Sequence, residues 1–197
     1  MLNIPVYKPF LCDLEEKYVN ECIKTNWISS KGKFISKFEE SFSNYLGIKH
    51  STSVSNGTVA LHLALHTLGI GPNDEVILPT LTYVATANSV AYVGAKPVFV
   101  DSDRDTWNIN PEKIISKITK NTKAILVVHL YGNPCSMDKI MEICEKYKLL
   151  LIEDSAESFG STYKGRYMGN FGNISTFSFF GNKTITTGEG GMVSSSN

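Results

Sequence analysis

The feature that most constrains the fold is an alternation of short apolar segments with helix-like segments. Four stretches have the apolar character of buried strands: EVIL (75–78), PVFV (97–100), KAILVVHL (123–130) and LLLIED (149–154). Such strands, separated by helical segments of about 10–15 residues, indicate a parallel sheet that is buried on both faces. The sequence therefore predicts an α/β fold in which helices flank a mostly parallel sheet.

Further segments complete this pattern. Helices are predicted at 34–46, 57–68, about 82–93, about 111–118 and 136–147. Short apolar runs predict strands at 174–180 and at 190–195, and a further strand is expected near 49–54, before the helix at 57–68. The last strand, GGMVSS, has no helix after it, so its apolar side chains are expected to face water. This expectation suggests an interrupted fold, with one large domain cut short.

The charge composition argues against a nucleic-acid partner. Nineteen basic residues balance nineteen acidic ones, and no Lys/Arg block forms the basic patch that nucleic acid or a membrane surface needs. No apolar run approaches the roughly 20 residues that span a bilayer. The start, MLNIPVYKPF, lacks the pattern of a secretory signal, so we expect a cytoplasmic protein.

The cysteine pattern indicates thiols rather than a metal site. Cys12, Cys22, Cys135 and Cys144 form no CxxC pair. We therefore expect buried structural thiols in a reducing cytosol and no bound metal.

A turn of small residues precedes one predicted helix. In S-N-G-T (55–58), backbone N–H groups around Gly57 and the Thr58 hydroxyl can bind an anion such as a phosphate. The same residues are ordinary helix-capping residues, so both interpretations remain open for this turn alone. Ser178, later in the chain, can reach the same phosphate.

Two further candidates follow predicted strands. Asp154 ends LLLIED, where a carboxylate backed by apolar residues can hold a cation such as a protonated pyridine nitrogen, or can cap a turn. Glu153 should point to the opposite face of the sheet and is a weaker candidate. Tyr83 follows the strand at 75–78, where its ring can cover a planar cofactor or fill the core.

A single lysine stands out near the end of the chain. The stretch TFSFFGNKTITTGEGG (176–191) contains one basic residue, Lys183, and no other lysine follows Lys164. A partly desolvated lysine with little opposing charge can act as an amine nucleophile, and a surface lysine in a loop is the alternative. The segment is not a P-loop, because G-N-K-T lacks the G-K-[ST] junction.

Taken together, these residues form the set that pyridoxal phosphate requires: a phosphate cradle, an aromatic plate, a carboxylate and a lysine. They lie in motifs that occur in one order: S-N-G-T-V-A-L-H-L-A-L, P-T-L-T-Y-V-A-T-A-N, G-A-K-P-V-F-V-D, V-H-L-Y-G, I-E-D-S-A-E and F-S-F-F-G-N-K-T-I-T-T-G-E-G-G. On these motifs the chain resembles, along its whole length, the sugar-nucleotide aminotransferases of the fold-type-I (aspartate aminotransferase) superfamily. Within that family it is most similar to the GDP-perosamine synthases, notably in W-I-S-S-K-G (27–32) and V-H-L-Y-G-N-P-C.

The resemblance implies roles for the matching residues. Lys183 would bind pyridoxal phosphate as a Schiff base, and Asp154 would pair with the pyridine N1, so both would be catalytic. The phosphate would be bound by Gly57, Thr58 and Ser178.

The remaining implied roles concern the cofactor ring. Tyr83 would stack on it. Many relatives carry glutamine where this sequence has Glu157, near the phenolic oxygen of the cofactor, and we interpret the glutamate as the mark of a subgroup. A branch of the family that performs deoxygenation has histidine in place of the lysine, so Lys183 argues against that chemistry.

The resemblance also implies a reaction and its partners. L-Glutamate would give its amino group to the C4 keto group of a nucleotide-linked 4-keto-6-deoxy sugar, with GDP-4-keto-6-deoxymannose as substrate and GDP-perosamine as product. The same chemistry on a UDP- or dTDP-linked sugar is one alternative, and a non-catalytic fragment is another. Because relatives are longer, residues 1–197 are expected to form the N-terminal part of the PLP-binding large domain, without the C-terminal small domain. The complete form is expected to be a homodimer.

Overall fold

A computed structural model describes residues 4–5 and 7–196. In this part of the chain the helices are α1 (Asp13–Lys24), α2 (Lys33–Leu46), α3 (Gly57–Thr67), α4 (Val84–Tyr92), α5 (Pro111–Ile114) and α6 (Met137–Tyr147). The strands are β1 (His50–Val54), β2 (Glu75–Pro79), β3 (Lys96–Val100), β4 (Thr122–Val128), β5 (Leu150–Asp154), β6 (Thr162–Tyr163), β7 (Arg166–Tyr167), β8 (Ile174–Ser178) and β9 (Gly191–Ser195). Short 3₁₀ turns lie at Ile115–Lys117 and Leu130–Gly132.

Seven strands form one sheet in the order β1-β9-β8-β5-β4-β2-β3. β9 runs antiparallel to both of its neighbours, and the other neighbouring pairs are parallel. β6 and β7 form a separate antiparallel hairpin. The predicted mostly parallel sheet is confirmed, and its six parallel strands all end at one edge.

Apolar side chains pack into a core on each face of the sheet. Leu126 joins the core under α3 and α4, where it packs with Leu65 and Val90. Its neighbour Ile125 joins the core under α5 and α6, where it packs with Ile140. Successive strand residues point to opposite faces, so burial of both faces explains why the central strands are apolar at consecutive positions.

A third cluster covers the last strand. Met192 of β9 is fully buried beside Phe177 of β8 and Phe42 of α2. The Phe42 and Phe177 rings meet edge-on with centroids 4.9 Å apart. β9 also lies inside the sheet, paired on both sides. The expectation that its apolar side chains face water is therefore wrong, because α2 supplies the cover from a distant part of the sequence.

Two predicted strands end earlier than their apolar patterns. The strand at 123–130 stops at Val128, before the 3₁₀ turn, and the strand at 174–180 stops at Ser178. Phe179 continues the apolar pattern because it is buried in the third cluster, beyond the end of the strand.

Helices differ from expectation at two places. α1 was not predicted from the sequence. None of its residues is buried, so its apolar side chains do not pack into the core. The helix expected at 111–118 is a four-residue α-helix followed by a 3₁₀ turn.

Buried thiols are found at two of the four cysteines. Cys135 and Cys144 are buried, and burial raises the pKa of Cys144 to about 12. Cys12 is exposed, so the expectation of a buried thiol is wrong at that position. Among the described residues, no group of three or more His, Cys, Asp or Glu side chains is arranged to hold a metal ion.

Within residues 4–5 and 7–196, no helix has both the length and the apolar character required to cross a membrane.

Candidate active site

Polar residues gather at the carboxyl edge of the sheet. β1 leads into Gly57 at the start of α3, and β8 ends at Ser178. On the other side of β8 from β9, β5 ends at Asp154, and the next strand, β4, is followed by His129. Ligands of open parallel sheets bind at this edge, because helix N-termini and irregular loops face it together.

Gly57 and Ser178 lie directly against each other. A Cβ atom on Gly57 would lie 2.8 Å from the Cβ of Ser178, which is closer than real side chains approach. Asn56 caps the helix, since its Oδ1 accepts a hydrogen bond from the Val59 amide at 2.9 Å. The amide of Thr58 belongs to the first turn of α3, whose N–H groups have no partner within the helix and can bind an anion. This turn therefore has the shape and the donors that a phosphate requires.

Asp154 is a buried carboxylate that accepts two hydrogen bonds. Its Oδ2 accepts from the Thr86 hydroxyl at 2.9 Å, and its Oδ1 accepts from the Ala156 amide at 3.2 Å. Burial raises the pKa of Asp154, although the hydrogen bonds from Thr86 and Ala156 and the charge of Lys183 act in the opposite direction. A carboxylate in this state gains from a cationic partner, because the attraction offsets the cost of burying its charge.

Thr86 was not singled out by the sequence. It is a buried residue of α4, and its hydroxyl oxygen lies 2.9 Å from that of Thr82. Thr86 and Asp154 are 68 residues apart in sequence, so no local pattern could have indicated their contact.

Lys183 faces a carboxylate. Its Nζ lies 3.4 Å from Glu157 Oε1, and the two side chains are 18% and 29% exposed. The expectation that Lys183 has little opposing charge is therefore wrong, because the fold brings Glu157 beside it. Lys183 lies in the loop between β8 and β9, where its amide donates to the Phe180 carbonyl at 2.9 Å.

Glu157 is held by an unusual turn. Its Oε2 accepts a hydrogen bond from the Tyr131 amide at 2.7 Å. Tyr131 has a φ of 52°, a left-handed conformation that is uncommon for residues other than glycine. Such backbone strain persists where the surroundings fix it, often at functional sites. The turn orients Glu157, and Glu157 in turn faces Lys183.

Tyr83 lies at the same edge, at the N-cap of α4. Its side chain is 75% exposed, so the alternative that the ring fills the core is wrong.

Glu153 organises a buried network with His129. His129 Nδ1 accepts from the Cys135 amide at 3.2 Å, which leaves the proton on Nε2, 3.1 Å from Glu153 Oε2. Burial disfavours the Glu153 charge, but hydrogen bonds from His129 and from backbone amides outweigh it and lower the pKa of Glu153. These amides, with distances of 2.6–2.9 Å, belong to Gly169, Phe171 and Gly172.

The residues at this edge fit pyridoxal phosphate. The turn at Gly57 suits a phosphate, because a side chain there would fill the space beside Ser178. Asp154 suits a protonated ring nitrogen, because burial raises its pKa despite its hydrogen bonds and a nearby cation would stabilise its negative charge. Lys183 offers a largely covered amine that can bind a carbonyl carbon.

Comparison with known proteins agrees with this chemistry. The profile of the DegT/DnrJ/EryC1/StrS aminotransferase family matches residues 11–197. A GDP-perosamine synthase of Escherichia coli O157:H7 is 60% identical over 193 residues, which cover 98% of this chain and 53% of that protein. The GDP-perosamine synthase of Caulobacter vibrioides is 56% identical, with 97% and 52% covered. The chain thus spans about half the length of the curated relatives it matches.

The fold of the chain is also similar to that of a solved structure. Spr1654 of Streptococcus pneumoniae, a proposed sugar aminotransferase, matches in its PMP form with a TM-score of 0.96 at 32% identity, covering 100% of this chain and 53% of that one. The PLP form of Spr1654 matches with a TM-score of 0.93. The family match and the PMP and PLP forms of Spr1654 support pyridoxal phosphate as the cofactor. The chain belongs to the DegT/DnrJ/EryC1/StrS aminotransferase family.

Proposed function

We propose that the protein transfers an amino group from L-glutamate to the C4 keto group of GDP-4-keto-6-deoxymannose, which yields GDP-perosamine. The observation that carries the transaminase chemistry is the pairing of Lys183 with Glu157 beside the buried Asp154 carboxylate. The identities of 60% and 56% to GDP-perosamine synthases support the choice of sugar and nucleotide.

In this proposal the residues at the carboxyl edge hold the cofactor. Lys183 would bind it covalently, Asp154 would pair with its N1, and Glu157 would lie near its phenolic oxygen. Tyr83, whose ring is exposed, would cover the ring face. Gly57, Thr58 and Ser178 would hold the phosphate.

Lys183 and its neighbours carry out the proton transfers. Pyridoxal phosphate, when bound, supplies an electron sink for the negative charge that develops at the reacting carbon. After the amino group of the donor has displaced it from the cofactor, the Lys183 amine would take the proton from that carbon and deliver it to C4′ of the cofactor. The Glu157 carboxylate, 3.4 Å from the Lys183 nitrogen, would orient the amine during this transfer.

Asp154 has a different task, because its carboxylate stays ionised opposite the ring nitrogen. A protonated nitrogen next to a buried carboxylate forms a pair in which each charge offsets the burial cost of the other. Burial raises the pKa of Asp154, and a cationic ring nitrogen beside it would act in the opposite direction and favour the ionised form.

The proposal also includes the oligomeric state of the protein and its location in the cell. We expect the active form to be a homodimer, in which the partner subunit supplies further contacts to the sugar and the cofactor. A cytoplasmic location suits the reduced Cys135 and Cys144 thiols.

The test uses the protein at the full length that its gene encodes. We would supply L-glutamate with GDP-, UDP- or dTDP-linked 4-keto-6-deoxy sugars and follow 2-oxoglutarate and the amino sugar by mass spectrometry. Fastest turnover of the GDP sugar supports the proposal, and fastest turnover of a UDP or dTDP sugar contradicts the choice of nucleotide. Absence of turnover and of cofactor absorbance would favour a non-catalytic role.

A further inference from the structure

A pair of hydroxyl groups connects the start of α4 to Asp154. The oxygen atoms of Thr82 and Thr86 are 2.9 Å apart, and the Thr86 hydroxyl lies 2.9 Å from Asp154 Oδ2. Thr86 is 1% exposed and Asp154 is 5% exposed, so water does not compete for this contact.

The direction of these hydrogen bonds follows from the carboxylate. An ionised Asp154 only accepts hydrogen bonds, so the Thr86 hydroxyl donates to it. The Thr86 oxygen is then free to accept from the Thr82 hydroxyl. Each hydroxyl polarises the next, and the chain points its donors toward Asp154.

Asp154 depends on this chain for its ionised form. Burial raises its pKa, and the Thr86 hydrogen bond is the largest influence in the opposite direction. The Ala156 amide, which donates to the other oxygen, and the nearby basic groups Lys183 and His129 contribute less. Thr86 is also the one described side chain that donates directly to the Asp154 carboxylate.

We propose that Thr86, oriented by Thr82, is a positioning residue that holds Asp154 ionised and aimed at the ring nitrogen of the cofactor. This inference rests on the proposed function, in which Asp154 pairs with that nitrogen. A purely structural role, in which the contact only ties α4 to β5, makes a different prediction. It would affect unfolding but not the protonation of the carboxylate or of the ring nitrogen.

Two variants of Thr86 separate these roles. Thr86→Val keeps the shape and removes the donor, whereas Thr86→Ser keeps the donor. In the cofactor-free protein, the ¹³C signal of the Asp154 carboxyl is expected to titrate at a higher pH in Thr86→Val than in the parent, because an influence that lowers its pKa is gone. Thr86→Ser should restore the parent titration.

The cofactor-loaded protein supplies a second readout. With ¹⁵N-labelled pyridoxal phosphate, Thr86→Val should show the ring nitrogen shifted toward its unprotonated signal. Its amination rate should fall about 10- to 100-fold, as expected for loss of a hydrogen bond to a charged group. Ser89→Ala, which removes another buried hydroxyl of α4 that bonds to the Thr86 carbonyl, should leave both signals at the parent values.

The outcomes are distinct. Parent-like Asp154 titration in Thr86→Val, or failure of Thr86→Ser to restore it, would overturn the inference. If Thr86→Val does not fold, Thr82→Val provides the test: a smaller shift in the same direction supports the chain, and no shift contradicts it. If the parent protein binds no pyridoxal phosphate, the proposed function fails, while the Asp154 titration still decides whether the hydroxyl chain controls the carboxylate.

Discussion

Two buried carboxylates, Glu153 and Asp154, are neighbours in β5, and their surroundings shift the two pKa values in opposite directions. Glu153 accepts hydrogen bonds from His129 and three backbone amides, and its pKa is lowered. Asp154 accepts from one hydroxyl and one amide, and its pKa is raised. A carboxylate that is already well compensated gains little from a further cation. Asp154 is therefore the residue suited to a protonated ring nitrogen.

Replacement of Asp154 by asparagine tests this assignment. We expect Asp154→Asn to bind pyridoxal phosphate but to lose about a hundredfold or more in amination rate, because the ring nitrogen loses its anionic partner. Absorbance titration measures binding, and steady-state assays measure the rate. Glu112→Gln removes a charge from an exposed ion pair with Lys139 and serves as the control. A rate within about tenfold of the parent, about 1.4 kcal/mol, would show that the ion pair is not required.

Lys183 is expected to carry the cofactor. Its amine is largely covered and faces Glu157, whereas Lys164 is exposed and paired with Asp138. Borohydride reduction of the loaded protein, followed by peptide mapping, should therefore place the pyridoxyl group on Lys183. Lys183→Ala should abolish the label, and labelling of Lys164 instead would contradict the assignment.

At the scale of elements, the start of α3 depends on a glycine. A Cβ on Gly57 would lie 2.8 Å from Ser178 Cβ, so Gly57→Ala must displace either α3 or the end of β8. We expect at least about a tenfold loss in affinity for pyridoxal phosphate, because the phosphate donors shift with the helix. Gly71→Ala, where a Cβ meets only the Val93 carbonyl at 3.7 Å, is the matched control. Equal affinities in the two variants would exclude a role for this close approach.

Glu153 is expected to stabilise the loop at 169–172. Glu153→Gln keeps the size of the side chain, but its amide nitrogen would face at least one backbone donor that then lacks an acceptor. The free energy of unfolding should fall by about 2 kcal/mol or more, at about 1–3 kcal/mol for each buried donor left unpaired. Urea unfolding measures the change, and Glu40→Gln on the exposed side of α2 should be indistinguishable from the parent.

The effect of Glu153→Gln on the free energy of unfolding should also depend on pH. Because the pKa of Glu153 is lowered in the folded chain, its stabilising contribution is complete above the unfolded pKa of about 4.3. The contribution is lost as the pH falls through the folded pKa. The difference in unfolding free energy between parent and Glu153→Gln should therefore shrink below about pH 4. A difference that grows on acidification would show that Glu153 is not ionised in the folded chain.

The sequence anticipates the layers of this fold better than the contacts within the site. Apolar runs such as 123–130 identify buried strands because both faces of the sheet are covered. Small residues and a carboxylate at strand ends identify Gly57 and Asp154 as candidates. The sequence does not predict the hydroxyl chain to Asp154 or the Glu157–Lys183 pair, because packing of distant segments creates them. For the same reason it does not predict that α2 packs over β9.

At the scale of the whole molecule, the site exists only when the sheet is complete. Its residues follow β1, β2, β4, β5 and β8, which the strand order brings side by side only with β9 inserted between β1 and β8. Loss of any one of these strands would therefore disturb the cofactor site as well as the core. Cofactor affinity and unfolding should respond together to changes in the sheet.

The N-terminal part of the molecule presents an apolar surface. None of the residues of α1 is buried, and its apolar side chains share one side of the helix, with Val19 58% exposed. The loop that follows adds the exposed Trp27 and Ile28, the latter 81% exposed. Contiguous exposed apolar surface of this kind marks an interaction site or favours self-association. The expected homodimer makes a second subunit one candidate for covering it.

We therefore expect the 197-residue chain to self-associate through the surface of α1. Val19→Glu places a charge within the apolar side of the helix, so it should lower the average sedimentation coefficient at micromolar concentration. Asn20→Glu adds the same charge one residue later, turned by about 100° toward the polar side, and should leave the coefficient unchanged. Analytical ultracentrifugation over a range of concentrations measures both. A monomeric parent chain, or equal effects of the two substitutions, would show that this face does not drive association.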